Sequence, residues 1–485
     1  MNVRSSAAAA AACLLFASLP TRAAAPDAIP AEVRELQRKA LDDRRAYETL
    51  RELTEHVGNR LAGSAGDAKA VEWALATLRA QGFQNVRAEP VTVPRWVRGN
   101  ASVQLAGAQD LNFDALALGG SVGTDGRAVE GDVVAATTVN ELVKLPREAV
   151  AGRIVFLYDR MLETRDGMDY GPKVRNRVDG AIEAARLGAV AVVIRAVGSD
   201  GLDRPHTGSL HYADGVPRIP AFSIGNAGAD RLMDRIARGP VRLRLSSTAR
   251  CEGTAQSANV IGEIPGRGAA TNPASEEFVV LGAHLDSWDV GTGAQDDGAG
   301  VVTVIEAARR IAEMKQRPLR TLRVVLFANE EFGLSGARRY ALDHEAELGR
   351  HTAAIEADLG SGRVFRFESQ VRSAELPSIV RMADLLAPLG VPFTSNDSGG
   401  GADVGPMRER GVPAFELQHD ASKYFEIHHT DADRLDRVNA SDLAFNVAAY
   451  ATVAWALAEQ PTRFAPLDRI WPTVSSGVQA CEWRP

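Results

Sequence analysis

Between residues 259 and 459 the chain alternates short apolar runs with longer amphipathic ones. FVVL at 278–281 and TLRVVLFA at 321–328 are nearly continuously apolar, the pattern of strands covered on both faces. Val301, Val304, Ile305, Ala308 and Ile311 recur at helical spacing and predict a helix over 299–315. HTAAIEAD and GVPAFEL read as further strands, and 442–459 as a closing helix. This order predicts an α/β unit with a mostly parallel central sheet flanked by helices.

The texture differs upstream. From 126 to 247 the chain carries the β-rich runs GDVVAA, GRIVFLYD, AVAVVIRA, IPAFSI and VRLRLSS, with helices expected over 178–187 and 228–237. These predict an inserted mixed β/α domain, with the polar stretch 246–257 as its exit. Nearer the start, 31–46 reads as helix. Val71, Leu75 and Leu78 mark a second helix, stopped by Gly82 and followed by a strand pair around 86–93. The division is 1–25 as an export signal, 26–124 and 248–485 as two parts of one domain, and 125–247 as the insertion. The signal reading rests on Arg4, the apolar segment 7–19 and the small residues Ala23–Ala25. It places the mature protein in a periplasm or outside the cell.

Composition narrows the function classes. The 485 residues are 45% hydrophobic and 24% charged with a formal net charge of −7, and no basic stripe interleaved with aromatics appears, so nucleic acid is excluded as a partner. Past the signal no run reaches about 18 apolar residues, which excludes stable membrane insertion. Cys251 and Cys481 remain once the signal is gone, either as a disulfide or as two buried thiols. They lie far from the histidine-rich stretches, which argues against a thiolate zinc site or a Cys/His nucleophile.

Candidate chemistry gathers where strands end. The stretch GAHLDSWDVGTGAQDDGAG sets one histidine and four aspartates among five glycines directly after an apolar run. It is a flexible solvated loop or a cradle for a cation. His284 and Asp286 follow one strand, Glu330 and Glu331 a second, and Asp358 a third. In parallel sheets ligands bind beyond the carboxyl ends of strands. Alone, an H-x-D or a Glu-Glu pair says little, since the latter is more often a solvated helix start. Their joint placement suits two zinc ions, which sit about 3.5 to 4 Å apart and share a bridging carboxylate. His284 and Asp358 can serve one ion, Glu331 and His429 the other, with Asp296 between them. Glu330 is then placed to take a proton from a bridging water. Asp286 either accepts the second ring N–H of His284 or caps an ordinary loop.

GAHLDS, AQDDGAG, ANEEFGLSGARRYA, IEADLG and YFEIHHTDAD stand in the order seen in the M28 family of zinc aminopeptidases and carboxypeptidases, and GNRLAGSAG resembles its entry segment. The resemblance spans nearly all of the chain past the signal. It implies a zinc-exopeptidase fold, an inserted protease-associated domain and two Zn2+ ions held by His284, Asp296, Glu331, Asp358 and His429, with Glu330 as general base. RPHTGSLHY and VPRIPAFSI resemble a branch whose members are homodimers acting on unblocked dipeptides. His428 stands where many relatives carry a tyrosine that steadies an oxyanion, and is expected to donate a hydrogen bond to the tetrahedral intermediate. The family's usual Asp-Thr is Asp433-Arg434 here. SNDSGGGADVGPM resembles the segment bordering the substrate cleft, with Asp403 facing a substrate amine or buttressing the site. His206 and Tyr212 are read as packing or turn residues that could also reach the cleft. The expected function is hydrolysis of unblocked dipeptides or short peptides. Alternatives are an aminopeptidase with an open cleft, a glutaminyl cyclase, which the full two-metal ligand set disfavours, and a non-catalytic binding protein.

Overall fold

An apolar strand must be covered on both faces, and the central strands are. In the computed structural model, which describes residues 29–107, 112–268 and 271–470, the first sheet runs in the order Gln84–Val97, Arg250–Ile264, Thr321–Phe327, Phe278–His284, His351–Glu356, Ala414–His419, Val364–Gln370, Phe393–Ser395. Val279, Leu281 and Ala283 pack on one face against the helices Ala299–Ala312 and Ala440–Glu459. Val280 and Phe327 pack on the other, against Ala337 and Tyr340 of the helix Ser335–Asp343. The residues assigned to an export signal, and Cys481, lie outside the described residues.

The sheet is mixed. Its four middle strands are parallel, whereas both flanks join antiparallel. Parallel register is what assembles the site. His284 pairs with Phe327 and Gly282 with Glu356, so the segments carrying His284, Glu330 and Asp358 leave the sheet at one edge.

Several expectations change. The strand pair near 86–93 is one long strand, Gln84–Val97, whose partner is Arg250–Ile264. The stretch 246–257 is not a polar exit: it mostly forms the outer half of that partner, exposed on alternate residues. The helix over 31–46 breaks into Ala31–Leu41 and Arg45–Glu52, because the Asp43 carboxylate accepts the Arg45 N–H at 3.0 Å and competes with helical bonding. The helix Ala65–Ala80 begins at Ser64, whose hydroxyl accepts the N–H groups of Gly66 and Asp67.

A second sheet takes strands from Ala101 through Ser247, in the order Ala101–Leu105 beside Arg242–Ser247, then Val129–Ala136, Ile154–Leu157, Ala191–Arg195 and Ala221–Ile224, with two short edge strands. It therefore starts upstream of residue 125. Strands of two to five residues there carry too little periodicity to be read locally.

Candidate metal centre

The strand Phe278–His284 delivers His284 to the sheet edge fully buried. Its Nε2 lies 3.1 Å from Asp296 Oδ1 and 3.5 Å from Asp358 Oδ1. The other oxygen of Asp296 lies 3.1 Å from His429 Nε2, and His429 in turn sits 3.0 Å from Glu331 Oε2. Asp296 thus stands between a His284–Asp358 pair and a His429–Glu331 pair. The five residues expected as metal ligands converge.

Four of the five are held from behind. His284 Nδ1 is 3.1 Å from the Asp286 carbonyl, and the Asp286 carboxylate accepts the backbone N–H groups of Glu330 and Glu331. Asp433 accepts from the N–H of Gln295 at 2.7 Å and of Asp296 at 3.2 Å, so the Asp of the Asp433-Arg434 pair supports the Asp296 loop. His429 has φ +64°, a left-handed backbone that costs a non-glycine residue about 1 kcal/mol or more. Thr207 of the second-sheet unit holds it there: its N–H donates to the His429 carbonyl at 2.9 Å, and its own carbonyl lies 3.2 Å from His429 Nδ1. Both contacts leave Nε2 directed at the carboxylates.

The donor set fits zinc. Glu331 Oε1 is buried without a hydrogen-bond partner, and Asp296 Oδ2 is buried beside the ring nitrogens of His428 and His429 without a well-aligned hydrogen bond, an arrangement that is costly unless a cation answers it. Burial works against a charged His284, yet the Asp358, Asp286 and Asp296 carboxylates push its pKa well above the usual value. The same carboxylate field would favour a metal ion. Imidazole nitrogen and carboxylate oxygen are zinc donors. Asp297 and His428 also approach the two halves of the set closely enough to ligate. Both oxygens of Asp297, however, accept backbone N–H groups, from His284 and Gly300, which makes it a brace of the loop.

His428 stacks on His429 with ring centroids 3.5 Å apart and places Nε2 3.4 Å from Asp296 Oδ2. Burial, with His429 beside it, holds its pKa well below the ordinary value, so the ring is neutral. It lines the cleft that opens on the centre, as does Glu330, which keeps part of its surface open. Burial pushes the Glu330 carboxyl well above its usual range, with Asp358 and Glu331 adding to the effect and His284 opposing it. Asp403 is fully buried, its N–H donates to Glu356 at 2.8 Å, and both of its carboxylate oxygens are buried without a hydrogen-bond partner. His206 is buried against Gly198. Tyr212 donates to the Ile219 carbonyl at 2.7 Å while lining the cleft wall.

Local reading missed Arg60. Its guanidinium is fully buried and donates to the carbonyls of Leu285, Thr292 and Gly293 at 2.7 to 2.9 Å, pinning both ends of the loop between His284 and Asp296. The only hint was its place in GNRLAGSAG.

A buried set of histidines and carboxylates at the carboxyl ends of parallel strands, opening on a cleft, defines a metal-dependent hydrolase. Residues 259–454 match the model of peptidase family M28. Carboxypeptidase Q of Bos taurus is 33% identical over 420 residues, covering 86% of this chain and 85% of its own. A peptidase M28 precursor from Shewanella amazonensis SB2B superposes with a TM-score of 0.87 at 39% identity, covering 90% of this chain and 98% of its own. An aminopeptidase from Aneurinibacillus sp. strain AM-1, at 21% identity and a TM-score of 0.60 over 90% of this chain and 99% of its own, shares the fold. The chain belongs to peptidase family M28 and is a zinc-dependent metallopeptidase.

Proposed function

We propose that this metallopeptidase is an exported dizinc exopeptidase that hydrolyses unblocked dipeptides or short peptides. The observation that carries the reading is Asp296, with one carboxylate oxygen toward His284 and the other toward His429. His284 and Asp358 would hold one zinc ion, Glu331 and His429 the other, and Asp296 both. Three carboxylates then offset three of four positive charges. Zinc held there lowers the pKa of a water from 15.7 towards about 7 and polarises a peptide carbonyl.

The chain's own residues do the rest. Glu330 takes the proton of the attacking water and passes it to the departing amine nitrogen as the C–N bond breaks. Asp286 fixes where Glu330 stands through its backbone N–H. His428, neutral and beside the centre, donates to the oxyanion that develops on the carbonyl. The second-sheet unit, read as a protease-associated domain, covers the site and supplies the Thr207 brace. No helix among the described residues is long and apolar enough to cross a membrane. A homodimer is part of the same reading.

A cleft of about 1870 Å³ exceeds the usual ligand pocket of roughly 300 to 1,000 Å³. That size favours one second reading, an aminopeptidase whose cleft admits longer peptides. Zinc-loaded enzyme offered free dipeptides, their N-acetyl forms and a tetrapeptide separates the two. Turnover of free dipeptides alone supports the dipeptidase, equal turnover of the tetrapeptide supports the aminopeptidase, and no turnover at full zinc occupancy leaves a binding protein.

A further inference from the structure

Thr207 braces His429 from a stretch without regular structure. Residues 203–208 form neither helix nor strand, and Gly208 has φ +132°, a backbone that residues with a side chain rarely adopt. No strand ladder runs through Thr207, so the direction of its N–H and carbonyl is set by its side chain. The buried Thr207 hydroxyl accepts from Arg98 Nη1 at 2.7 Å. A β-branched residue is stiff at χ1, so holding the oxygen holds the backbone that carries it.

Arg98 stands where the chain leaves the strand Gln84–Val97 of the first sheet for Ala101–Leu105 of the second. It is 6% exposed. Its Nε and Nη2 donate to the Asp289 carboxylate at 2.5 to 3.1 Å, and Nη1 donates to the Ala117 carbonyl as well as to Thr207. Asp289 lies in the loop between His284 and Asp296, whereas Ala117 and Thr207 belong to the second-sheet unit, so one buried cation joins the two. A second contact ends at the same ligand. The guanidinium is within cation–π reach of the Trp96 and Trp288 rings, at 4.9 and 5.4 Å from their centroids, and Trp288 stands edge-on to His429 with centroids 5.6 Å apart. Trp288 fits there because Gly119 has no side chain: a Cβ would lie 2.1 Å from its Cη2. Hydroxyl and ring both lead from Arg98 to His429. His284 is held separately, by the Asp286 carbonyl and by Arg60 bonded to Leu285.

We propose that Arg98 is a positioning residue for His429: acting through Thr207 and Trp288, it holds the ring with Nε2 toward Asp296 and Glu331 and so sets the affinity of that half of the centre for zinc. The proposal rests on the dizinc reading above. Arg98 touches none of the five ligands itself. Its consequence is that the His429–Glu331 half depends on how the second-sheet unit seats on Arg98, while the His284–Asp358 half does not.

The test measures zinc dissociation constants, by competition with a chelating dye, for the wild type, Arg98→Lys, His429→Ala and the double variant, with Tm for each. Lysine keeps a positive charge beside Asp289, but one ammonium does not replace the planar fork that serves Asp289, Ala117 and Thr207 together. Arg98→Lys should weaken one of the two ions by about 10-fold and leave the other within about twofold. In the His429→Ala background the same change should have no further effect, because the ligand it acts through is gone. If Arg98→Lys does not fold, Thr207→Val, which removes only the hydroxyl, takes its place in the same cycle. Arg323→Lys, at a buried arginine paired with Glu263 and Glu347, should lower Tm as any weakened buried ion pair does and leave zinc affinity unchanged. Unchanged zinc affinity in Arg98→Lys overturns the proposal, as does an equal loss for both ions or the same loss in Arg323→Lys. A loss that persists in full without His429 also overturns it, since Arg98 would then act through the Asp289 loop. If the wild type binds a single zinc ion, the dizinc reading fails, and the cycle with His429→Ala on that one ion decides the role of Arg98. A wild type that binds no zinc overturns both.

Discussion

One carboxylate oxygen of Asp286 accepts the backbone N–H of Glu330 at 3.0 Å. The other faces the N–H of Glu331 at 3.4 Å, and the same carboxylate lies 3.7 Å from His284 Nδ1. A single buried acid thus ties together His284 from one strand end and Glu330 and Glu331 from the next. Asp286→Asn keeps the shape but turns one acceptor into a donor facing an N–H. Activity or zinc affinity should fall by about 10- to 100-fold. Kinetics with a zinc titration checks this, and unchanged values would remove Asp286 from the positioning machinery.

Glu330→Gln removes the proposed proton carrier while preserving size. The expected drop in kcat is about a hundred- to ten-thousand-fold, with zinc content and Tm unchanged. If zinc is lost together with activity, Glu330 is a ligand and not the base.

Asp296 serves both halves of the centre, so Asp296→Ala should lower bound zinc below two per chain, measured by elemental analysis after dialysis. Chelation should abolish wild-type activity, and added zinc should restore it. A variant that still retains two zinc ions would reassign the bridge.

Stability should depend on pH through a site remote from catalysis. Burial opposes charge on His344, but the hydrogen bonds its ring donates to the Glu347 and Glu89 carboxylates push its pKa from 6.5 up to about 9. Arg323, Tyr340 and His351 complete its surroundings. Because the folded value is raised, the stabilisation is fully present below pH 6.5 and is lost as pH rises through about 9. Urea midpoints of wild type and His344→Gln should differ near pH 6 and converge near pH 10. Parallel curves across that range would contradict the linkage.

Arg60→Ala strands at least three buried carbonyls and leaves a cavity beside the His284–Asp296 loop. The expected loss is more than about 3 kcal/mol of unfolding free energy, read by chemical denaturation, with activity falling in step. A loss under about 1 kcal/mol would mean that water replaces the guanidinium.

How much of this was legible in the chain differs between element and partner. Apolar runs and helical spacing identified the middle strands and the helices at 299–312 and 440–459, because those patterns reflect burial of one contiguous segment. The histidine and carboxylate donors at strand ends were legible for the same reason: His284 ends the strand Phe278–His284, Glu330 and Glu331 come shortly after Thr321–Phe327, and Asp358 shortly after His351–Glu356. The long strand Gln84–Val97 was misread as a pair because its partner begins at Arg250, and no local pattern encodes a pairing across that separation.

By itself, the sequence determined an α/β chain with histidine and carboxylate donors at strand ends, since periodicity and residue chemistry are local properties. Only the tertiary structure decided that Asp296 stands between His284 and His429 and that Thr207 and Arg60 brace the centre. The contacts of Asp296 with His429, of Thr207 with His429 and of Arg60 with Leu285 each join residues more than a hundred positions apart. They arise where parallel register and the packing of the second sheet bring distant segments to one edge, which composition and spacing do not specify.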